Sequence, residues 1–293
     1  MTIADQRVLV GASASLQSAI RDSDGDLVAA VGTVTVGVTT ADGTEVLAAG
    51  TATTSPSTGI YAVAIDPPTQ VDIYVATWTD DGTGISRTTY HEVVGGFYAS
   101  LAEIRASDGV FQDTTRYPDA DVIEARRLVE TEFEQITDRA FVPRYRRVHI
   151  HNRHASSELV LPDPDLRSIR SVREYNGSSY TSITVSGVMA DPAGIARVPG
   201  NTSETAWPAA DLVVEYEHGS ERPPSDVLGA FYTRVRDVLN RPNRGVPDRT
   251  SSFTSADNGT FSLIVPGQAG FVTGIPDVDV VLERYSGFDV GVA

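Results

Sequence analysis

Apolar and polar positions follow two different periods along this chain. From residue 7 to residue 95 the period is two. Val8-Leu9-Val10, Ser15 to Ile20, Gly32 to Val38, Ile60 to Ile65, Asp72 to Thr77 and Ile85 to Val94 are short runs rich in Val, Ile, Thr and Tyr. Alternation is plainest in Thr33–Val38 and Tyr61–Ile65, and the intervening Asp24-Gly25, Asp42-Gly43, Thr58-Gly59 and Asp81-Gly82 are turn dipeptides. At Pro118 the period changes to that of a helix. Val122, Ala125, Val129, Phe133 and Ile136 are spaced by three and four, with Ala140 and Phe141 just beyond. Asp119 and Asp121 suit the start of this helix, and Phe141-Val142-Pro143 is expected to end it. Glu124, Arg127, Glu130, Glu134 and Asp138 occupy the opposite face, expected to meet water or a charged partner.

About seven short strands in ~90 residues are the signature of an immunoglobulin-like sandwich, with Trp78 as its buried aromatic. Gly95-Gly96 interrupts the pattern and reads as a linker, and Ser100-Leu101-Ala102-Glu103 reads as the cap and first turn of a short helix. After the long helix the period returns to two between about 146 and 216. Val148–His151, Glu158–Leu161, Ile169–Tyr175, Tyr180–Val185 and Leu212–Tyr216 predict a small antiparallel sheet placed between helices. Ser225 is the expected cap of a helix whose apolar face is Val227, Leu228, Phe231, Val235, Val238 and Leu239. Residues 243–258 are polar and turn-rich and are expected to be mobile. A strand, Thr260–Val265, and a short helix, Asp277–Tyr285 opened by Pro276, precede a tail from Ser286 to Ala293.

The predicted fold class is therefore α+β and multidomain. Residues 1–95 form an all-β immunoglobulin-like sandwich, and 96–242 form a domain of about four helices with an antiparallel β insertion (about 146–216). Residues 243–293 hold a flexible segment, strand, short helix and tail. A length of 293 residues suits this division.

Composition narrows the function. Hydrophobic content of 41% and charged content of 21% describe a soluble globular chain, and no run of 18 apolar residues is present to cross a membrane. The opening MTIADQRVLV lacks a basic stretch followed by an apolar core, so the expected place of synthesis and assembly is the cytoplasm. Cysteine is absent, which excludes disulfides and thiolate metal sites. All 23 basic residues are Arg, a bias that points to a high-GC source such as an actinobacterium or its phage. The net charge of −16 gives the chain no global attraction for DNA or anionic lipid. Residues 1–96 carry 11 acids and three Arg (−8), whereas the remainder carries 28 acids and 20 Arg (also −8). Only the second part mixes both signs.

Three clusters were weighed for chemistry. Asp22-Ser23-Asp24-Gly25-Asp26 has the start of a calcium loop but no downstream bidentate Glu, so an acidic hairpin turn is the preferred reading. His149, His151 and His154 could bring two ligands to one strand face, but Arg146, Arg147 and Arg153 would repel a cation. A solvated or subunit-facing strand is preferred over a metal-dependent hydrolase. Arg139, Arg144, Arg146, Arg147 and Arg153 concentrate five charges in 15 residues, suited either to an acidic partner or to the acids of this same chain. No nucleophile elbow, phosphate loop or paired catalytic carboxylates appear, so no enzyme, cofactor or metal is expected.

Three stretches together resemble the head–tail connector (adaptor) proteins of actinobacterial siphophages. The first ends in Ile136-Thr137-Asp138-Arg139-Ala140-Phe141-Val142-Pro143-Arg144. The second runs from Leu159-Val160-Leu161-Pro162-Asp163-Pro164 and Arg170-Ser171-Val172 through Trp207-Pro208 to Val213–Gly219 and Pro223-Pro224-Ser225-Asp226-Val227. The third is Gly274–Tyr285. The resemblance covers roughly residues 97–293. It implies a non-enzymatic virion protein of the neck: a dodecameric ring under the portal that extends the DNA channel and joins head to tail. The implied partners are other copies of the chain, the portal protein, and a head-completion (stopper) or tail-terminator protein. Packaged DNA would pass an acidic lumen without sequence-specific binding, and no membrane is involved. Expected ring or portal contacts are Arg139, Arg144, Arg146 and Arg147, with Phe261, Ile264, Val278, Leu282 and Tyr285 in the C-terminal segments. The N-terminal sandwich is an addition to the minimal connector, expected to project outward toward the capsid. The alternative is that this sandwich binds a carbohydrate or host surface and the rest anchors it, although Tyr61, Tyr74 and Trp78 sit in strands as core residues would.

Overall fold

The computed structural model describes residues 5–198, 206–241 and 272–287, together with the backbone of 252–255 and 259–262. The expected mobile stretch 243–258 falls largely outside the described residues, as do Leu263–Val265 of the expected strand and most of the tail. The fold is α+β and multidomain. Contacts divide it into two compact units: residues 1–96, 142–161 and 165–219 in one, and 97–141, 162–164 and 220–293 in the other. The hairpin region predicted between helices thus groups in space with the N-terminal strands.

The first unit begins with eight strands: β1 (Gln6–Leu9), β2 (Ala14–Ala19), β3 (Val34–Thr39), β4 (Glu45–Ala52), β5 (Thr54–Ser57), β6 (Ile60–Ile65), β7 (Asp72–Asp80) and β8 (Ile85–Val94). They form two sheets, ordered β1-β8-β7-β3-β4 and β2-β6-β5. All neighbours are antiparallel except β1 and β8, which run parallel with Val8 beside Val93. In β3 and β7 every second side chain is buried, as period-two alternation requires. Leu16, Val36, Val63, Ala76 and Trp78 meet between the sheets, and the Trp78 indole N–H donates to Thr89 Oγ1 at 2.9 Å. Strands β4 and β5 escape the sequence pattern because most of their side chains are exposed and no face is apolar. A Cβ at Gly37 would stand 3.0 Å from the Ala49 Cα, so glycine is what lets β4 lie this close to β3.

The same unit continues with β9 (Arg144–His151), β10 (Glu158–Val160), β11 (Leu166–Tyr175), β12 (Tyr180–Ile183), β13 (Met189–Asp191), β14 (Ile195–Arg197) and β15 (Asp211–His218). These make two sheets rather than the single one expected, β12-β11-β15-β9 and β10-β14-β13. Leu159, Leu161, Val172, Trp207, Leu212, Val214 and Tyr216 form their shared core. Strands of three residues such as β13 and β14 are too short to show a period.

The second unit holds α1 (Leu101–Ser107), α2 (Asp119–Thr137), α3 (Ser225–Asn240) and α4 (Pro276–Tyr285), with a two-stranded β16 (Ser252–Ser255) and β17 (Gly259–Ser262). Ser100 and Glu103 form a reciprocal capping box at α1. Helix α2 stops at Thr137, one turn before the expected Phe141-Val142-Pro143 breaker. Asp138 turns left-handed there (φ 49°), a conformation that Asp tolerates better than most residues. Ser225 is not a cap: α3 is preceded by Pro224, whose fixed φ starts the helix, and Ser225 is its first turn without a side-chain capping bond. The core gathers Val122, Val129, Phe133, Phe231, Val278 and Leu282, all 1% exposed or less. No described helix is long and apolar enough to cross a membrane.

Candidate functional site

The arginines singled out in the sequence do not form one surface. Within the first unit, Arg144 is 3% exposed; its Nε lies 3.5 Å from Glu92, which also bonds Arg7 at 2.8 Å. A buried guanidinium needs such partners, because an unpaired charge away from water is costly. Arg147 is half-buried, donating to the Ala41 carbonyl at 2.7 Å and lying 3.6 Å from Glu215. Arg173 reaches the same Glu215 at 2.9 Å, and Arg170 lies 3.4 Å from Asp72. The acids of the N-terminal strands thus meet the arginines of β9 and β11. Of this stretch, Arg146 and Arg153 are the exposed arginines.

Burial and hydrogen bonding shift several groups in this unit. Burial raises the Asp72 carboxyl above its ordinary range, although N–H donors from Ile73 and Ala41 and the charge of Arg170 oppose the rise. The Tyr145 phenol is raised too, by burial first and then by Glu215 and Asp72. Asp42 is held down to about 2, chiefly by the Thr40 hydroxyl, then by the Thr44 N–H. His91, fully buried in β8, is lowered to about 4 by desolvation; its Nε2 is 2.8 Å from Thr89 Oγ1.

In the second unit, Tyr285 stacks edge-on against Phe141 with ring centroids 5.5 Å apart, and its hydroxyl donates to Asp226 at 3.0 Å. Arg284 joins the same carboxylate at 2.8 Å. Burial works against the charged Asp226, but the bond from Tyr285, backbone donors and Arg284 together hold its pKa below the ordinary value. Arg139 acts on the Tyr285 phenol electrostatically. Val278 and Leu282 are buried in the unit's own core, so the face of α4 open to a partner is Asp277, Val280, Glu283 and Arg284. Phe261 lies in β17 opposite Phe253, and Ile264 lies outside the described residues.

Glu130, assigned by helical spacing to the outer face of α2, is fully buried and accepts the Tyr98 N–H at 2.8 Å. Arg126, one turn earlier, is also buried and stacks on the Phe97 ring with its Cζ 3.5 Å from the centroid. The signal was available: 122, 126, 129, 130 and 133 form one patch on a helix, and two of them are charged. Asp22–Asp26 is a hairpin turn in which Asp22 Oδ1 accepts the N–H groups of Asp24 and Asp26. His151 is bonded to Asp211 at 2.5 Å, and His149 and His154 are exposed. Among the described residues no three His, Asp or Glu side chains stand close enough to hold a metal ion.

No family model matches the chain, and no curated protein matches it. Solved structures similar to part of it include the neck of an empty GTA particle computed with C6 symmetry (13% identity, 64% of this chain and 89% of that chain, TM-score 0.41). The virion of a native gene transfer agent particle (13%, 64% and 89%, TM-score 0.42) is another. A third is the neck of a native GTA particle computed with C12 symmetry (12%, 65% and 93%, TM-score 0.39).

Proposed function

We propose that this chain is a structural protein of the neck of a phage-like particle, a head–tail connector. It forms a dodecameric ring under the portal, extends the DNA channel and meets a stopper or tail-terminator protein on its other side. One observation carries the reading. One end of each of the three separated stretches that resemble connectors meets in the second unit, where Phe141 of the first stacks on Tyr285 of the third and Tyr285 bonds Asp226 of the second; the hairpin part of the second stretch belongs to the first unit. A motif whose parts are distant in sequence but mutually packed is a folded unit rather than a set of chance matches. The net charge of −16 suits a channel through which DNA slides without adhering. No catalytic step is assigned.

The N-terminal strands support an immunoglobulin-like assignment. Their order places β2-β6-β5 opposite β3-β7-β8, the pairing of the B-E-D and C-F-G strands of that fold. The carbohydrate-platform reading keeps little aromatic surface, because Trp78 and Tyr74 are buried, the Tyr61 hydroxyl accepts the Ala30 N–H, and Tyr90 is half-buried. Capsid contact is the role proposed for this sandwich.

Mixing purified protein with its cognate portal ring and imaging the product by electron microscopy tests the proposal. A twelvefold collar supports it. Deleting α4 removes core residues, so the informative variant is Val280→Glu on the exposed face, expected to weaken portal docking while the protein stays folded. Absence of any collar, in vitro and below the portal of intact particles, sinks the reading.

A further inference from the structure

Among the described residues no strand pairs with one edge of β9. It is the outer strand of its sheet, antiparallel to β15, with Arg144 opposite His218 and His151 opposite Asp211. Just past its end the Asn152 N–H bonds the Ala210 carbonyl at 2.9 Å. That contact fixes the phase of the ladder: even-numbered residues exchange hydrogen bonds with β15, and odd-numbered residues point N–H and C=O the other way. Among the described residues, the backbone groups of Arg147, His149 and His151 meet no hydrogen-bond partner on that side. Such a row is a template for a further strand.

The edge has a chemistry unlike the rest of the molecule. In a chain of net charge −16, Arg146, His149, His151, Arg153 and His154 are all exposed along or just beyond this strand. Asp211, bonded to His151, sits on the inner side. The two faces of β9 also differ. Arg147, His149 and His151 share one face, while Val148 and Ile150 on the other are half-buried against the Leu159–Tyr216 core. An incoming strand therefore continues the sheet best with acids on one face and apolar side chains on the other. A second copy of the same edge does not qualify, since it would set Arg and His against Arg and His.

We propose that the open edge of β9 binds an extended segment of another protein by strand addition, the segment alternating acidic and apolar residues. Backbone hydrogen bonds to Arg147, His149 and His151 supply the affinity, and the basic face selects the sequence. This holds whether or not the chain forms a ring, so its failure would leave the connector reading standing.

The test uses the full chain and a fluorescein-labelled peptide of alternating Glu and Val, matched to the 8 residues of β9, with a Lys–Val peptide as control. Anisotropy at low salt should show binding of the Glu–Val peptide alone, weakening as salt rises. Amide exchange should slow at Arg147, His149 and His151 in the complex. His149→Pro removes one outward N–H without touching the bonds to β15 and should weaken binding about tenfold. The double variant H149E/R153E leaves the backbone donors intact, reverses charge on the odd-numbered side, serves where H149P does not fold, and should weaken binding as well. Equal binding of both peptides, unchanged binding by a folded H149P, or protection at other amides would overturn the proposal.

Discussion

The Tyr285 hydroxyl donates to Asp226 at 3.0 Å across 59 residues of sequence. It ties the last described helix to the first turn of α3, while its ring closes on Phe141 after α2. One side chain therefore joins three elements of the helical unit. Removing only the hydroxyl, as Tyr285→Phe, should cost about 1 kcal/mol by urea unfolding. It should also let the Asp226 pKa rise toward its ordinary value. Tyr285→Ala loses the ring contact too and should cost about 2–4 kcal/mol. Equal effects of the two variants would show that the ring contributes nothing.

The Glu130 carboxylate accepts the buried Tyr98 N–H at 2.8 Å. Glu130→Ala leaves that donor in the core without its carboxylate and should destabilise the second unit by about 2–3 kcal/mol. Glu124→Ala, on the exposed side of the same helix with only a surface pair to Arg127, should stay within about 0.5 kcal/mol. Thermal unfolding of the two variants side by side separates a buried acid from a solvated one.

His91 makes stability depend on pH. Its pKa is lowered from 6.5 to about 4 in the folded protein, so below 6.5 the unfolded chain binds the proton more readily. Stability contributed by the neutral ring is complete above 6.5 and is lost as the pH falls toward 4, by at most about 3 kcal/mol. His91→Gln should flatten unfolding free energy across that window. A variant whose pH profile overlays the parent's would show that other groups govern it.

The two glycines at the end of the N-terminal strands should respond differently to a methyl group. A Cβ on Gly95 would stand 2.5 Å from the Pro143 Cβ, and the Gly95 N–H already bonds the Pro143 carbonyl. Gly95→Ala should cost about 1–3 kcal/mol by overpacking. At Gly96 the nearest atom, on Val142, is 3.6 Å away, an ordinary contact, so Gly96→Ala should be close to neutral. Denaturant midpoints of the pair decide whether this junction is packed or a free linker.

The strands and helices with a regular apolar period were legible in the sequence: β3, β7 and α2 each bury every second or every third and fourth residue, as written in the chain. So were the capping box at Ser100 and the buried Trp78, because both depend on neighbours close in sequence or on a single large apolar side chain. What only the tertiary structure decided is where charge goes. Arg144 and Glu92, Arg170 and Asp72, and Glu130 with the Tyr98 N–H are long-range pairs. A charged residue has no period of its own, and its burial depends on a partner that the fold must first bring near. For the same reason the sequence left open whether the five clustered arginines meet a partner or acids of this chain; Arg144 and Arg147 are turned inward by acids some fifty or more residues away, while Arg146 and Arg153 are exposed.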